Sequence, residues 1–141
     1  MPPELQSFDH VHVFVEDREA SERWYARVLG FIRSQELEFW ATSGGPLTLQ
    51  NAEATVHLAL FERPPQKCRS TIALRVGAAA FFEWAGHLGN TLGRQVLPVD
   101  HEVSWSLYFD DPDGNPFEIT TYEYEAIKAR LQRRLTLSMN A

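Results

Sequence analysis

Two imidazoles and a carboxylate, His10, His57 and Glu118, are the side chains of this 141-residue chain whose types and spacing suit one piece of chemistry. Imidazole nitrogens and a carboxylate together suit a borderline divalent ion and leave coordination positions open for water or a substrate. Spacing links the three. Sliding the sequence by 61 residues lays the segment holding His10 over the segment holding Thr71. The same shift lays ATVHLALFE at 54–62 over NPFEITTYE at 115–123, so His57 falls on Glu118. His10 and His57 are 47 residues apart, and so are Thr71 and Glu118. If each half forms one curved sheet and a pseudo-twofold axis relates the two, positions 10, 57, 71 and 118 converge on that axis. Taken singly, each histidine is better explained as a half-exposed strand residue making ordinary hydrogen bonds. The shared spacing makes the set a candidate, and on the residues alone both readings stand.

These residues need strands to carry them. DHVHVFV at 9–15 alternates Val11, Val13 and Val15 with His10, His12 and Phe14, the period-two pattern of a strand with two different faces. Asp17 is placed to cap a helix bearing Ala20, Trp24, Tyr25, Val28 and Leu29 at helical spacing, and Gly30 to end it. Strands are expected near 34–41, near 46–50 and over 54–61, separated by SGGP and followed by RPPQK. The second half repeats the plan: a strand over 70–76, a helix with Phe81, Trp84, Ala85 and Leu88, then strands near 94–99, 104–110 and 115–122. A third helix over 124–137 places Ile127, Leu131 and Leu135 four apart among basic residues, and is expected to pack on the domain edge or across a dimer.

Alternation sorts the remaining candidates by face. His12 and Phe14 share a side with His10; Thr71, Ala73 and Arg75 share one, opposite Ile72, Leu74 and Val76; Glu118, Thr120 and Tyr122 share another. The aliphatic faces are expected under the helices and the polar faces to line a concave surface. Burying polar groups without partners is costly, so such a surface implies a ligand. His12, Phe14, Thr71, Arg75, Ser106 and Thr120 are therefore expected to line a substrate cavity. Arg75 has two possible partners there, Glu118 or an anionic substrate. Trp40 and Trp105 are cavity walls or simply packed, and DPDGN at 111–115 is a turn.

DHVHVFVEDREASERWYARVLGF and YFDDPDGNPFEITTYE resemble the vicinal oxygen chelate superfamily, which includes glyoxalase I, fosfomycin- and bleomycin-resistance proteins and extradiol dioxygenases. The resemblance covers 8–123. It implies an α+β fold of two βαβββ modules, 8–62 and 70–123, forming a cupped eight-stranded mixed sheet in a single domain over 1–123, with 124–141 as a helical tail. It also implies a divalent ion (iron, manganese, nickel or zinc) with His10 at the first-strand ligand position, Glu118 at the last-strand one, and His57 on the last strand of the first module. Thr71 departs from the pattern, since a threonine hydroxyl is a poor ligand. VDHEVSWSLYFDDPDGNPFE at 99–118 loosely resembles the extradiol signature, implying that His101 and Tyr108 handle protons. Otherwise His101 is a surface-loop histidine.

Composition narrows the classes. Hydrophobic residues make up 44% and charged residues 23%, which excludes wholesale disorder. Thirteen Lys and Arg against 19 Asp and Glu give a net charge of −6, unsuited to gripping nucleic acid. The single cysteine, Cys68, excludes an internal disulfide framework, and no apolar run suggests a membrane partner. MPPELQSFDH lacks the layout of a signal peptide, so a cytoplasmic location is expected. Together with the candidate residues, the resemblance implies two functions. One is a metal-dependent enzyme of the glyoxalase or dioxygenase type, extradiol-like through His101 and Tyr108, acting on a small substrate with vicinal oxygens. The other is a metal-free protein that sequesters a small molecule, as the resemblance to bleomycin-resistance proteins implies. A homodimer is expected in either case.

Overall fold

The computed structural model describes residues 1–2, 4–64, 66 and 70–140, and Cys68 lies outside them. The chain divides into two units, Met1–Lys67 with Pro112–Gly114, and Cys68–Asp111 with Asn115–Ala141. Each contains one four-stranded mixed sheet, so the α+β plan of repeated strand–helix–three-strand modules is borne out.

In the first unit, β1 (Val11–Val15) leads into α1 (Arg18–Leu29), then β2 (Ile32–Arg33), a short α2 (Glu38–Thr42), β3 (Leu47–Gln50) and β4 (His57–Glu62). The sheet order is β1-β4-β3-β2, with β1 parallel to β4 and the other pairs antiparallel. A parallel pair cannot be joined by a tight turn, so the chain between its strands must supply a crossover, which here is α1 together with β2 and β3. Asp17 caps α1 by accepting from Ala20 N at 2.9 Å, and Gly30 closes it at φ 69°, a left-handed conformation that costs glycine little. Val13, Val15, Tyr25, Val28, Leu49, Leu58 and Leu60 form the core of this unit.

The second unit has the same order. It runs β5 (Ile72–Arg75), α3 (Ala78–Leu92), β6 (Val99–Asp100), β7 (Trp105–Asp110) and β8 (Pro116–Thr121), arranged β5-β8-β7-β6 with β5 parallel to β8. Phe81, Leu88, Leu107, Phe117 and Ile119 are its buried centre. The last helix, α4 (Tyr124–Met139), buries Ile127 completely, while Leu135 is exposed, so the apolar stripe packs only at its start. Arg130 and Arg134 lie over the Phe82 ring, their guanidinium carbons 4.2 and 4.9 Å from its centre, which uses the helix's positive charge within the unit. No helix among the described residues is long and apolar enough to cross a membrane.

Two expected strands differ. The segment 34–41 is a 3-10 turn (Gln35–Leu37) running into α2, and β2 stops at Arg33. Its Gln, Glu, Leu and Ala are good helix formers. Arg33 fixes the segment's start by pairing with Glu22 on α1 at 2.6 Å and Glu38 on α2 at 2.7 Å. The strand near 94–99 shrinks to Val99–Asp100, because Pro98 has no N–H for a ladder.

One interaction recurs with the repeat. Glu62, at the end of β4, accepts from the backbone N–H of Arg18 at 3.1 Å, and Glu123, just after β8, accepts from that of Ala78 at 2.6 Å. Glu62 and Glu123 are 61 residues apart, and each carboxylate sits at the positive end of its module's helix. Gly77 leaves room for this, since a Cβ there would lie 3.1 Å from Glu123 Oε2. Glu123→Ala is therefore expected to lower unfolding stability by about 1 kcal/mol, and Glu62→Ala by less because Asp17 also caps α1; urea titration of both variants measures the difference.

Candidate functional site

The polar faces of the two sheets differ. In the first unit His10 and His57 come together at the edge of a pocket of about 270 Å³, lined also by Asp9, Leu37, Trp40, Pro46, Thr48 and Ala59. Register explains the meeting. Val11 pairs with Leu58, so the residues before them, His10 and His57, stand at the same level at the start of the parallel pair. Thr48 pairs with Ala59 across β3 and β4 and so shares the pocket face, while Leu47 and Leu49 point into the core. Trp40 is held by its turn. Gly45 N donates to the Trp40 carbonyl at 2.8 Å, and Arg18 donates to the carbonyls of Gly45 at 2.8 Å and Ala41 at 3.4 Å.

Asp9 orients His10. The imidazole Nδ1 donates to Asp9 Oδ2 at 2.5 Å, and this bond is the main reason the Asp9 carboxyl stays below the usual carboxylate range. With Nδ1 protonated, His10 Nε2 carries the lone pair, and His12 Nε2 stands 3.1 Å from it. The His10 and His12 rings stack at 5.1 Å, and His12 tilts against Phe61 at 4.7 Å. Phe14 lies farther along the same strand face, with Arg63 over its ring at 5.8 Å. Neither His12 nor Phe14 lines the pocket.

In the second unit the polar face bonds to itself. Ser106, fully buried, donates to Glu118 Oε1 at 2.5 Å and lies 3.2 Å from Thr120 Oγ1. Thr120 Oγ1 in turn lies 3.4 Å from the Trp105 carbonyl. One of the Glu118 carboxylate's two oxygens is thus occupied and its orientation set. His101 Nε2 and Tyr108 Oη are 2.9 Å apart, so the two residues assigned to proton handling are hydrogen-bonded to each other. Arg75 lies over the Tyr122 ring at 5.3 Å, and among the described residues no ion pair joins it to Glu118. Trp105 stacks on Tyr124 at 5.6 Å and donates its indole N–H to the Tyr124 carbonyl at 3.2 Å, so it is packed under α4.

The shift of 61 does not hold in the register. In the second unit Glu118 pairs with Ala73 and Phe117 with Ile72, whereas an unbroken repeat of the first unit's pairing would bring Glu118 opposite Thr71 and Ile119 opposite Ile72. The parallel pair has slid by two residues, which keeps every side chain on its face. Thr71 is exposed, two residues before Glu118's neighbour. Asp9, Leu37, Pro46 and Thr48 of the first unit's pocket went unnoticed in the sequence. Thr48 had a signal, a hydroxyl between two leucines in a strand.

The sequence profile described as the Glyoxalase/Bleomycin resistance protein/Dioxygenase superfamily matches residues 7–119. The chain belongs to this superfamily. Solved structures agree in fold. An integron cassette protein, HFX_CASS4, from the mobile metagenome of the Halifax Harbour sewage outfall is 24% identical with a TM-score of 0.66, over 83% of this chain and 99% of that one. A glyoxalase/dioxygenase from Nostoc punctiforme is 20% identical with a TM-score of 0.64, over 86% and 94%. The fosfomycin resistance protein FosX from Listeria monocytogenes, complexed with Mn(II) and sulfate, is 15% identical with a TM-score of 0.62, over 91% and 99%. For a superfamily member, the second unit's polar face offers a carboxylate already fixed by its neighbour. Ser106→Ala strips Glu118 of that donor, and the expected loss of about 1–2 kcal/mol in urea unfolding exceeds that of Tyr108→Phe, whose partner His101 is exposed to water.

Proposed function

We propose that the protein is a metal-dependent enzyme of the glyoxalase/dioxygenase type acting on a small substrate with vicinal oxygens. His10 and His57 are the first module's candidate ligands and Glu118 is the second's. The observation that carries this reading is the pocket with His10 and His57 at its edge and Asp9 on His10 Nδ1. A carboxylate behind an imidazole fixes the tautomer that a metal requires and raises its basicity. By type the donors suit iron, manganese, nickel or zinc, and among the described residues no three His, Cys, Asp or Glu side chains are gathered into a ready-made metal site. When bound, such an ion supplies Lewis-acid stabilisation of charge developing on substrate oxygens. The chain's own residues do the rest: Asp9 holds the His10 ring, Ser106 holds the Glu118 carboxylate, and the Tyr108 hydroxyl, coupled to His101 Nε2, takes up or delivers a proton. An extradiol-like oxidative cleavage assigns that last pair its role, and a glyoxalase-like isomerisation or addition does not need it.

A second reading is a metal-free protein that sequesters a small ligand, in the manner of bleomycin-resistance members. Thr71 favours it, being exposed and without a ligating group stronger than a hydroxyl. In either reading the assembly is a homodimer, and light scattering should return the mass of two chains.

Metal analysis of protein purified without a chelating tag separates the readings. The enzyme reading expects close to one equivalent of divalent metal; less than about a tenth, with no tight uptake of added iron, manganese, nickel or zinc, overturns it. His57→Ala is expected to lose the metal if His57 is a ligand, and to keep it while losing activity if His57 is only a base. Asp9→Asn should weaken metal binding by about 10–100-fold in a competition titration without unfolding the protein.

A further inference from the structure

We propose that Thr48 is a specificity-determining residue whose hydroxyl recognises a hydrogen-bonding atom on a small, flat, otherwise apolar ligand seated against Trp40. The inference rests on reading the first unit's pocket as the substrate site, but not on a metal being bound there.

Thr48 is 3% exposed, and among the described residues its Oγ1 is the buried side-chain oxygen or nitrogen with no hydrogen-bond partner. Buried polar groups in folded proteins are almost always paired, because leaving one unpaired forfeits its hydration with nothing in return. Such an orphan inside a packed core would be a defect. This one lies on the pocket face, opposite Ala59, in a pocket whose edge carries His10 and His57. A ligand is the partner that the fold leaves out.

The other walls define what the ligand looks like. Leu37, Trp40, Pro46 and Ala59 offer carbon surface, and Trp40 is 42% exposed, so its ring is open to stacking. A volume of about 270 Å³ equals about nine waters at ~30 Å³ each, the size of a single ring with a substituent or two. Ala59 opposite Thr48 adds little bulk there; the Oγ1 is shielded at rest, and a turn about the Thr48 Cα–Cβ bond presents it to the pocket and to the ligand's polar atom. Arg18 and Gly45 hold the turn that presents Trp40, and a Cβ at Gly45 would stand 2.8 Å from the Trp40 carbonyl, so the wall is fixed before a ligand arrives.

Phenol and toluene, which exchange a hydroxyl for a methyl group on the same ring, are the probes. Their dissociation constants are read from the indole N–H shift of Trp40 in chelator-treated protein, for the wild type, Thr48→Ser and Thr48→Val. The wild type and Thr48→Ser are expected to prefer phenol by about fivefold, the net worth of one hydrogen bond. Thr48→Val, equal in size but without the hydroxyl, is expected to lose the preference and to melt at a higher temperature because the orphan is gone. No preference in the wild type, a preference kept in Thr48→Val, a lower melting temperature for Thr48→Val, or no shift with either probe at about 5 mM each overturns the proposal. Metal content of untreated protein is measured separately, and its absence would remove the metal reading while leaving this test unchanged.

Discussion

A carboxylate at the end of each module holds the first turn of that module's helix. Glu62 bonds the N–H of Arg18 and Glu123 bonds that of Ala78. The last strand of a module is also the strand that pairs in parallel with its first. One side chain therefore ties the end of the module to the element that follows its beginning. A helix N-terminus left without acceptors would expose several unpaired N–H groups, and the positive end of the helix dipole favours an anion there. With the helix fixed at its start, Val13, Val15, Leu58 and Leu60 in one unit, and Phe117 and Ile119 in the other, face a buried core. Strand alternation then leaves the opposite face to the polar residues. The candidate chemistry is a consequence of that geometry.

The two modules use their polar faces differently. In the second, polar groups satisfy each other: Ser106 with Glu118, Thr120 beside Ser106, and His101 with Tyr108. In the first, a 3-10 turn and α2 carry Leu37 and Trp40 to the pocket, and a hydroxyl remains unpaired inside it. The segment that creates this difference is 34–41, held at its start by Arg33 between Glu22 and Glu38. Topology is thus repeated while the site is not.

Element order, both long helices, the C-terminal helix and the faces of the strands follow from alternation, helical spacing and capping residues alone. Asp17 and Gly30 bound α1 at the expected places because caps are local chemistry. The segment 34–41 misled because its alternation of acidic and apolar residues resembles a strand, whereas its helix propensity and the Arg33 ion pairs are what decide it. Residue type singled out His10 and His57, which both line the first unit's pocket, and Glu118, which lies on the second unit's polar face. The candidate site was not readable where it depended on register. A shift of 61 aligns Thr71 with His10, yet the pairing of β5 with β8 places Ala73 beside Glu118. Register is fixed by packing and loop length, and a two-residue slide leaves the hydrophobic pattern unchanged.

That slide bears on how Thr71 is to be understood. If Thr71 stood beside Glu118, the absence of a ligating side chain would be a loss in the pattern. In the pairing observed, the neighbour of Glu118 is Ala73, which has nothing to offer a metal, and the carboxylate is held by Ser106 from the other flanking strand. Two flanking strands thus treat Glu118 differently, one leaving space and the other supplying a hydrogen bond. A buried serine donating to one carboxylate oxygen fixes the orientation of the group. Nothing in that arrangement requires a histidine at position 71. The departure of Thr71 from the pattern that the resemblance implies therefore leaves the surroundings of Glu118 unchanged.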